Sequence, residues 1–457
     1  MLIGLRRRLA AFESAAGNEA VAEDLHRMVP GMAVEQAAAV LLDIINIAVM
    51  GFVSTAAIAG VGQINTVNNV LMNLFQAFAI GGTAAVAQRV GAGRDRNAAQ
   101  AAGSAILLGL GISLALTALL FAFHRQLVGL LFGSAESVVL GSSIAYFRLT
   151  CLAPPLWFLY FQCCGFLRAA GDTRRPMLIS IALNGSAMAL NVFFSLGLGL
   201  GPTGAGLAYL LSVLLAALIS LYSVLRKGSP LRPRFSRSEA RAADLRQIAG
   251  VSFPSAAENL MFNGSRLIVQ ICVAGMGTAM ISANSVFQSV NGIFNIPVMT
   301  LYYLTVPVIG RCAGAGNCST VRSGLRFIAR KTLVWSIPVA LAHLLLGWPA
   351  CWLFTRDAEV VRIATGILWL YAPAAVLQAA SFILPNGFKA VGDARFAMAV
   401  SALSAWVFKA LGSWLLGVQL GFGAYANALT SDLDTAFRGA VFTRRFRNGH
   451  WLKQIGK

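Results

Sequence analysis

Residues 97–123 run for 27 positions without one charged side chain, and 176–197 and 203–225 do the same. A helix needs about 20 such residues to cross roughly 30 Å of hydrocarbon. Twelve long apolar runs, some carrying a few charges, are predicted as spans: 28–53, 56–88, 97–123, 137–166, 176–197, 203–225, 248–274, 279–310, 323–346, 359–385, 396–417 and 421–443. None shows sustained period-two alternation, and a spanning segment must satisfy its own backbone, so the runs read as helices rather than barrel strands. With 57% hydrophobic and only 12% charged residues, the chain has about half the charge a soluble domain carries. The expected fold class is an all-α polytopic membrane protein.

The net charge of +19 would point to nucleic acid in a soluble protein. In a membrane protein it is topogenic, because Lys and Arg collect in cytoplasmic loops. With both termini inside, 29 of the 36 basic residues fall in cytoplasmic segments and three in external loops. The expectation is N-in, C-in, with an even number of spans. The seven cysteines lie mostly in apolar runs without metal-ligand spacing and read as small buried hydrophobes. The four histidines form no cluster. No nucleophile–base or metal constellation appears, so an enzyme is not expected, nor a cofactor, nor a nucleic-acid partner.

The segment Arg168-Ala-Ala-Gly-Asp172 recurs as Lys389-Ala-Val-Gly-Asp393, 221 residues later. Val29-Pro30 matches Phe253-Pro254, Gly91-Ala-Gly93 matches Gly314-Ala-Gly316, and Asn68 matches Asn291, at offsets of 223 or 224. Four paired features at nearly one spacing mark two homologous halves. The predicted order is a cytoplasmic segment 1–27, an N-lobe 28–225, a linker 226–247, a C-lobe 248–443 and a cytoplasmic tail 444–457. The linker, with Pro230, Pro233 and seven basic residues, reads as solvated, with anionic headgroups as a second option. Asp172 and Asp393 are expected to cap the helices that follow them.

These pieces resemble the multidrug and toxic compound extrusion (MATE) family over essentially the whole chain. The resemblance rests on Pro30 and Pro254, the two Gly-Ala-Gly segments, Leu167–Thr173 with Pro176, Gly197–Gly206, Asp434 with Arg438, and Arg445–Trp451. It implies twelve helices in two pseudo-symmetric six-helix lobes around a central cavity. It also implies export of organic, often cationic, compounds against H⁺ or Na⁺ by alternating access, from a bacterial inner membrane and as a monomer. A lipid or lipid-linked oligosaccharide flippase of similar architecture, or an exporter of one metabolite, is the alternative.

An ionisable group in hydrocarbon is costly and is a functional candidate by default. Glu35, Asp43 and Asn46 share one face of the first span at about 100° per residue. A carboxylate there can carry a proton or help to coordinate Na⁺. Family members often carry Asp five residues before the Gly closing this span. Here Gly51 puts Asn46 at that place, with Asp43 one turn earlier, so either Asp43 substitutes or coupling lies in the other lobe. Glu258, one turn past Pro254, resembles a Glu the family often has and is the candidate there. The neutral amides Asn68, Asn73, Asn184, Asn284, Gln288 and Asn291 either glue helices or line the cavity. Arg266, Lys409, Asp432 and Asp434 are expected to form a structural charge network, with Lys409 paired to one of the aspartates.

Overall fold

The computed structural model describes residues 19–50, 55–132, 137–226, 231–234, 239–274, 278–316 and 318–454. It divides into two compact units, Val34–Ala256 and Met1–Ala33 with Ala257–Lys457. Among the described residues there is no strand; the chain is helical nearly throughout. Eight helices are long and apolar enough to cross a membrane, or nine if Val139–Thr150 and Pro154–Ala169, bent by 48°, count as one span. Among the described residues, then, the count of twelve is not reached by length and composition. The last predicted span is helical but carries Asp432, Asp434 and Arg438, too many charges for a simple apolar crossing.

The first unit takes the end of α1 (Glu19–Met50), then α2 (Thr55–Gly91), α3 (Asp95–Ala122), α4 (His124–Phe132) and α5 (Ser137–Thr150). It continues through α6 (Pro154–Ala169), α7 (Arg174–Asn191) and α8 (Gly201–Leu225) into the start of α9 (Glu239–Ala274). The break before α6 has a local cause: Pro154 and Pro155 occupy its first turn, where a missing N–H costs nothing. The core is built from small residues, with Ala98, Ala102, Cys163, Cys164 and Val86 fully buried around Phe166. At Gly109 the Phe158 ring fills the place of a side chain, and at Gly165 the Thr83 side chain does. Helices without a hydrophobic drive between them gain from such close approach.

Among its described residues the linker touches the first unit at particular points. Its Leu231 is 1% exposed, and the Arg234 N–H donates to the Ala99 carbonyl at 2.9 Å. Residues 239–247 belong to α9, where Asp244 is paired with Arg89 from the end of α2. Basic spacing in the sequence could not show this, because Arg89's partner lies 155 residues away.

The second unit comprises the start of α1, the rest of α9, α10 (Thr278–Phe294), α11 (Ile296–Gly314), α12 (Cys318–Leu345) and α13 (Gly347–Phe354). It closes with α14 (Ala358–Gln378), α15 (Leu384–Ala390), α16 (Ala394–Ser404) and α17 (Tyr425–Asn448). Wide π turns interrupt it at Ala379–Ile383, Ala405–Leu411 and Trp414–Gln419. The first lies between Pro373 and Pro385, where the ladder has already lost two donors. The end of the chain is packed: Trp451 is fully buried against Phe388 and Phe446.

Candidate functional site

Each unit holds one largely buried carboxylate, four or five residues after a proline inside a helix. In the first unit Glu35, 5% exposed, accepts from an Arg168 Nη at 2.5 Å. In the second, Glu258 Oε2 lies 2.8 Å from the Lys389 ammonium, with both side chains largely buried. Arg168 ends α6 and Lys389 ends α15. They are the basic residues that open the two copies of the repeated motif. Sequence reading placed them in cytoplasmic loops; the structure places both in the last turn of a helix, buried and paired.

The loops that follow share one backbone form. Gly171 has φ +84° and Gly392 φ +99°, a left-handed conformation that a β-carbon disfavours. The next N–H turns back to the helix: Asp172 donates to the Leu167 carbonyl and Asp393 to the Phe388 carbonyl, at 2.9 and 2.8 Å. The aspartates then diverge. Asp172 Oδ1 accepts from the N–H groups of Arg174 and Arg175, as a cap should. Asp393 makes no such bond. Its Oδ2 is taken by Arg445 Nε and Nη2 at 2.9 and 2.8 Å, so its expected capping role does not hold. A guanidinium presents two donors where the helix start would offer weaker ones.

The other candidates fall into three groups. Asp43 and Asn46 lie on α1, but their side chains are outside the described residues. The α10 amides bind within their own unit: Asn284 Oδ1 accepts from Asn427, Gln288 Oε1 from Arg266 at 2.8 Å, and Asn291 Oδ1 faces His343 at 3.0 Å. On α2, Asn68 is 4% exposed and Asn73 half-buried, while Asn184 on α7 donates to the Ser180 carbonyl one turn back. In the charge network the pairing differs from expectation. Asp434 is bound by Arg438 at 2.8 Å and by the Ser404 hydroxyl at 2.6 Å, not by Lys409. Lys409, on a π turn, holds its ammonium 4.7 Å from the Phe262 ring centre. Asp432 accepts from the N–H of Ala374, the residue after Pro373.

A family model described as MatE matches the chain twice, over residues 32–194 and 254–415, one copy to each half. The chain belongs to the MATE family. Members are transporters rather than enzymes, and the chain is an integral membrane protein. Among its relatives is the probable multidrug resistance protein NorM of Thermotoga maritima, 22% identical over 91% of this chain and 89% of that one. Another is the multidrug export protein MepA of Staphylococcus saprophyticus, 25% identical over 83% of each chain. The crystal structure of the Vibrio cholerae MATE transporter VcmN superposes with a TM-score of 0.86 at 20% identity, covering 96% of this chain and 99% of that one. At that identity the likeness speaks for the MATE fold alone.

Three partner residues within this MATE scaffold escaped the sequence reading. Arg168 and Lys389 carried a signal, since their 221-residue offset nearly equals the 223 between Glu35 and Glu258. His343 carried none, because its partners Asn291 and Val339 are joined only by helix packing.

Proposed function

We propose that this chain is a secondary active efflux antiporter. It exports organic, often cationic, compounds in exchange for H⁺ or Na⁺ by alternating access between twelve spans in two lobes, N-in and C-in. The names of its relatives support export of drugs, and the paired Glu258 and Lys389 support coupling. A proton or Na⁺ arriving at Glu258 competes with Lys389 for one carboxylate. Leaving either partner buried and alone costs about 3–5 kcal/mol, so exchange at this site biases how α9 and α15 pack. Glu35 with Arg168 offers the same chemistry in the first unit.

The test is efflux of a fluorescent organic cation from proteoliposomes. Under an imposed pH gradient and then an imposed Na⁺ gradient, one of the two should drive export by the parent. Glu258→Gln and Asp43→Asn should each abolish it at normal membrane levels. Export by both variants at the parental rate overturns the coupling assignment, and lipid scrambling without any cation-linked export overturns the efflux reading.

A further inference from the structure

One face of α12 changes character along its length. At about 100° per residue, positions 322, 326, 330, 333, 337, 341 and 344 fall in a single arc of about 100°. The first three are arginines, and the last four are Leu, Ile, Leu and Leu. The opposite face is packed, with Val321, Leu325, Ile328 and Val339 buried, whereas Leu333, Ile337, Leu341 and Leu344 are each 42–49% exposed. From Leu333 to Leu344 the helix rises about 16 Å, the depth of one leaflet in a roughly 30 Å hydrocarbon core.

The basic end of this face is held in place by the end of α17. Arg322 Nη2 donates to the Arg447 carbonyl, in the last turn of that helix, at 2.7 Å, where the helix dipole favours a cation. The guanidinium carbons of Arg322 and Arg326 then lie 5.8 and 5.9 Å from the centre of one ring, Phe446. That ring is stacked on the buried Trp451. Like charges one turn apart on a helix oppose each other. Nothing nearby in the chain offsets them, since α12 has no acidic residue and none follows Asp434. Among the described residues no carboxylate forms an ion pair with Arg322 or Arg326. Other helix ends are neutralised from within, Arg89 by Asp244, Lys389 by Glu258 and Arg445 by Asp393. A topogenic role accounts for arginines at this end of α12. It does not call for two of them on one ring, directly above an apolar stripe.

We infer that this face of α12 binds an anionic phospholipid, its phosphate shared by Arg322 and Arg326 and one acyl chain lying along Leu333–Leu344. A guanidinium presents phosphate oxygens with a planar fork of donors, and a phosphate between the two replaces their repulsion with attraction to both. Arg330 continues the basic face one turn deeper, and Lys331 lies over the rings of Phe327 and Trp335, so further positive charge stands at headgroup level. Because Arg322 also holds the end of α17, the bound lipid ties that end to α12. Such binding requires only a chain in a membrane and is independent of the export reading.

The test uses the full chain purified in neutral detergent and titrated with dioleoyl phosphatidylglycerol or dioleoyl phosphatidylcholine. Native mass spectrometry reads the affinity of the first bound lipid, and thermal unfolding reads its effect on Tm. Phosphatidylglycerol should bind more tightly than phosphatidylcholine and raise Tm, as a ligand of the folded state does. Arg326→Gln should weaken its binding, and adding Arg322→Gln should bring the loss to roughly tenfold or more. Arg94→Gln with Arg96→Gln removes the same charge from exposed positions at the start of α3 and should leave the affinity unchanged. Equal affinity for the two lipids, or an equal loss in the Arg94 and Arg96 variant, overturns the site. Displacement of phosphatidylglycerol by inorganic phosphate or glycerol 3-phosphate at comparable concentration would mark a site for free anions and overturn the lipid assignment. If the double variant unfolds through loss of the Arg447 bond, Arg326→Gln alone decides, and an unchanged affinity there overturns the site.

Discussion

The carboxylates of Asp172 and Asp393 follow a left-handed glycine at repeat-related positions, yet one caps a helix and the other binds Arg445. Asp172→Ala should cost about 1 kcal/mol through the lost cap, seen as a lower Tm in detergent. Asp393 is a different case. Burial pushes its carboxyl above the ordinary aspartate range, and the hydrogen bond and charge of Arg445 pull it back only in part. A carboxyl with a raised folded-state pKa binds its proton more tightly folded than unfolded. Its contribution to stability therefore falls as pH rises from about 4 through that pKa. The Tm of the parent relative to Asp393→Asn should drop as pH rises above about 4; a constant or rising difference would contradict this.

Helices here approach one another through glycines, and the glycines are not equivalent. A β-carbon on Gly81 of α2 would stand 2.6 Å from the Ile248 carbonyl oxygen and 2.8 Å from the Ser252 nitrogen, both backbone atoms of α9. Neither can swing aside as a side chain could. Gly81→Ala should destabilise the protein by roughly 1–3 kcal/mol. Gly111 of α3 faces open space. There Ala adds helix propensity with no clash, for a gain of about 0.8–1.0 kcal/mol. Thermal unfolding of the two variants side by side should move in opposite directions. The helix joints follow the same physics: Pro154-Pro155 were legible as a break, whereas the π turns at 405–411 and 414–419 contain no proline and had no mark in the sequence.

At the scale of the molecule, the expected orientation can be tested with a native thiol. Cys318, at the start of α12, is exposed, while Cys151, Cys163, Cys164 and Cys351 are buried. With N-in and C-in, that end of α12 faces the cytoplasm. A membrane-impermeant maleimide should label Cys318 in inside-out vesicles and leave right-side-out vesicles unlabelled; the opposite pattern would invert the topology. The two halves were legible because the Gly-Asp loops, the Gly-Ala-Gly turns and the leading prolines answer to local backbone rules, which act the same way wherever they recur.

The sequence alone determined that this chain enters a membrane as helices and that it is built from two related halves, and it singled out Asp43 and Glu258, with Glu35, as charges on apolar helices. Those facts follow from burial cost and from chain-local geometry, which are read along the chain. What holds those charges was decided only in three dimensions. Arg168 meets Glu35 across 133 positions, Arg445 meets Asp393 across 52, and His343 meets Asn291 across another 52. Composition set how many basic residues the chain carries. Helix packing chose which became partners of buried groups, because a buried charge or amide takes whatever donor the neighbouring helix brings within about 3 Å.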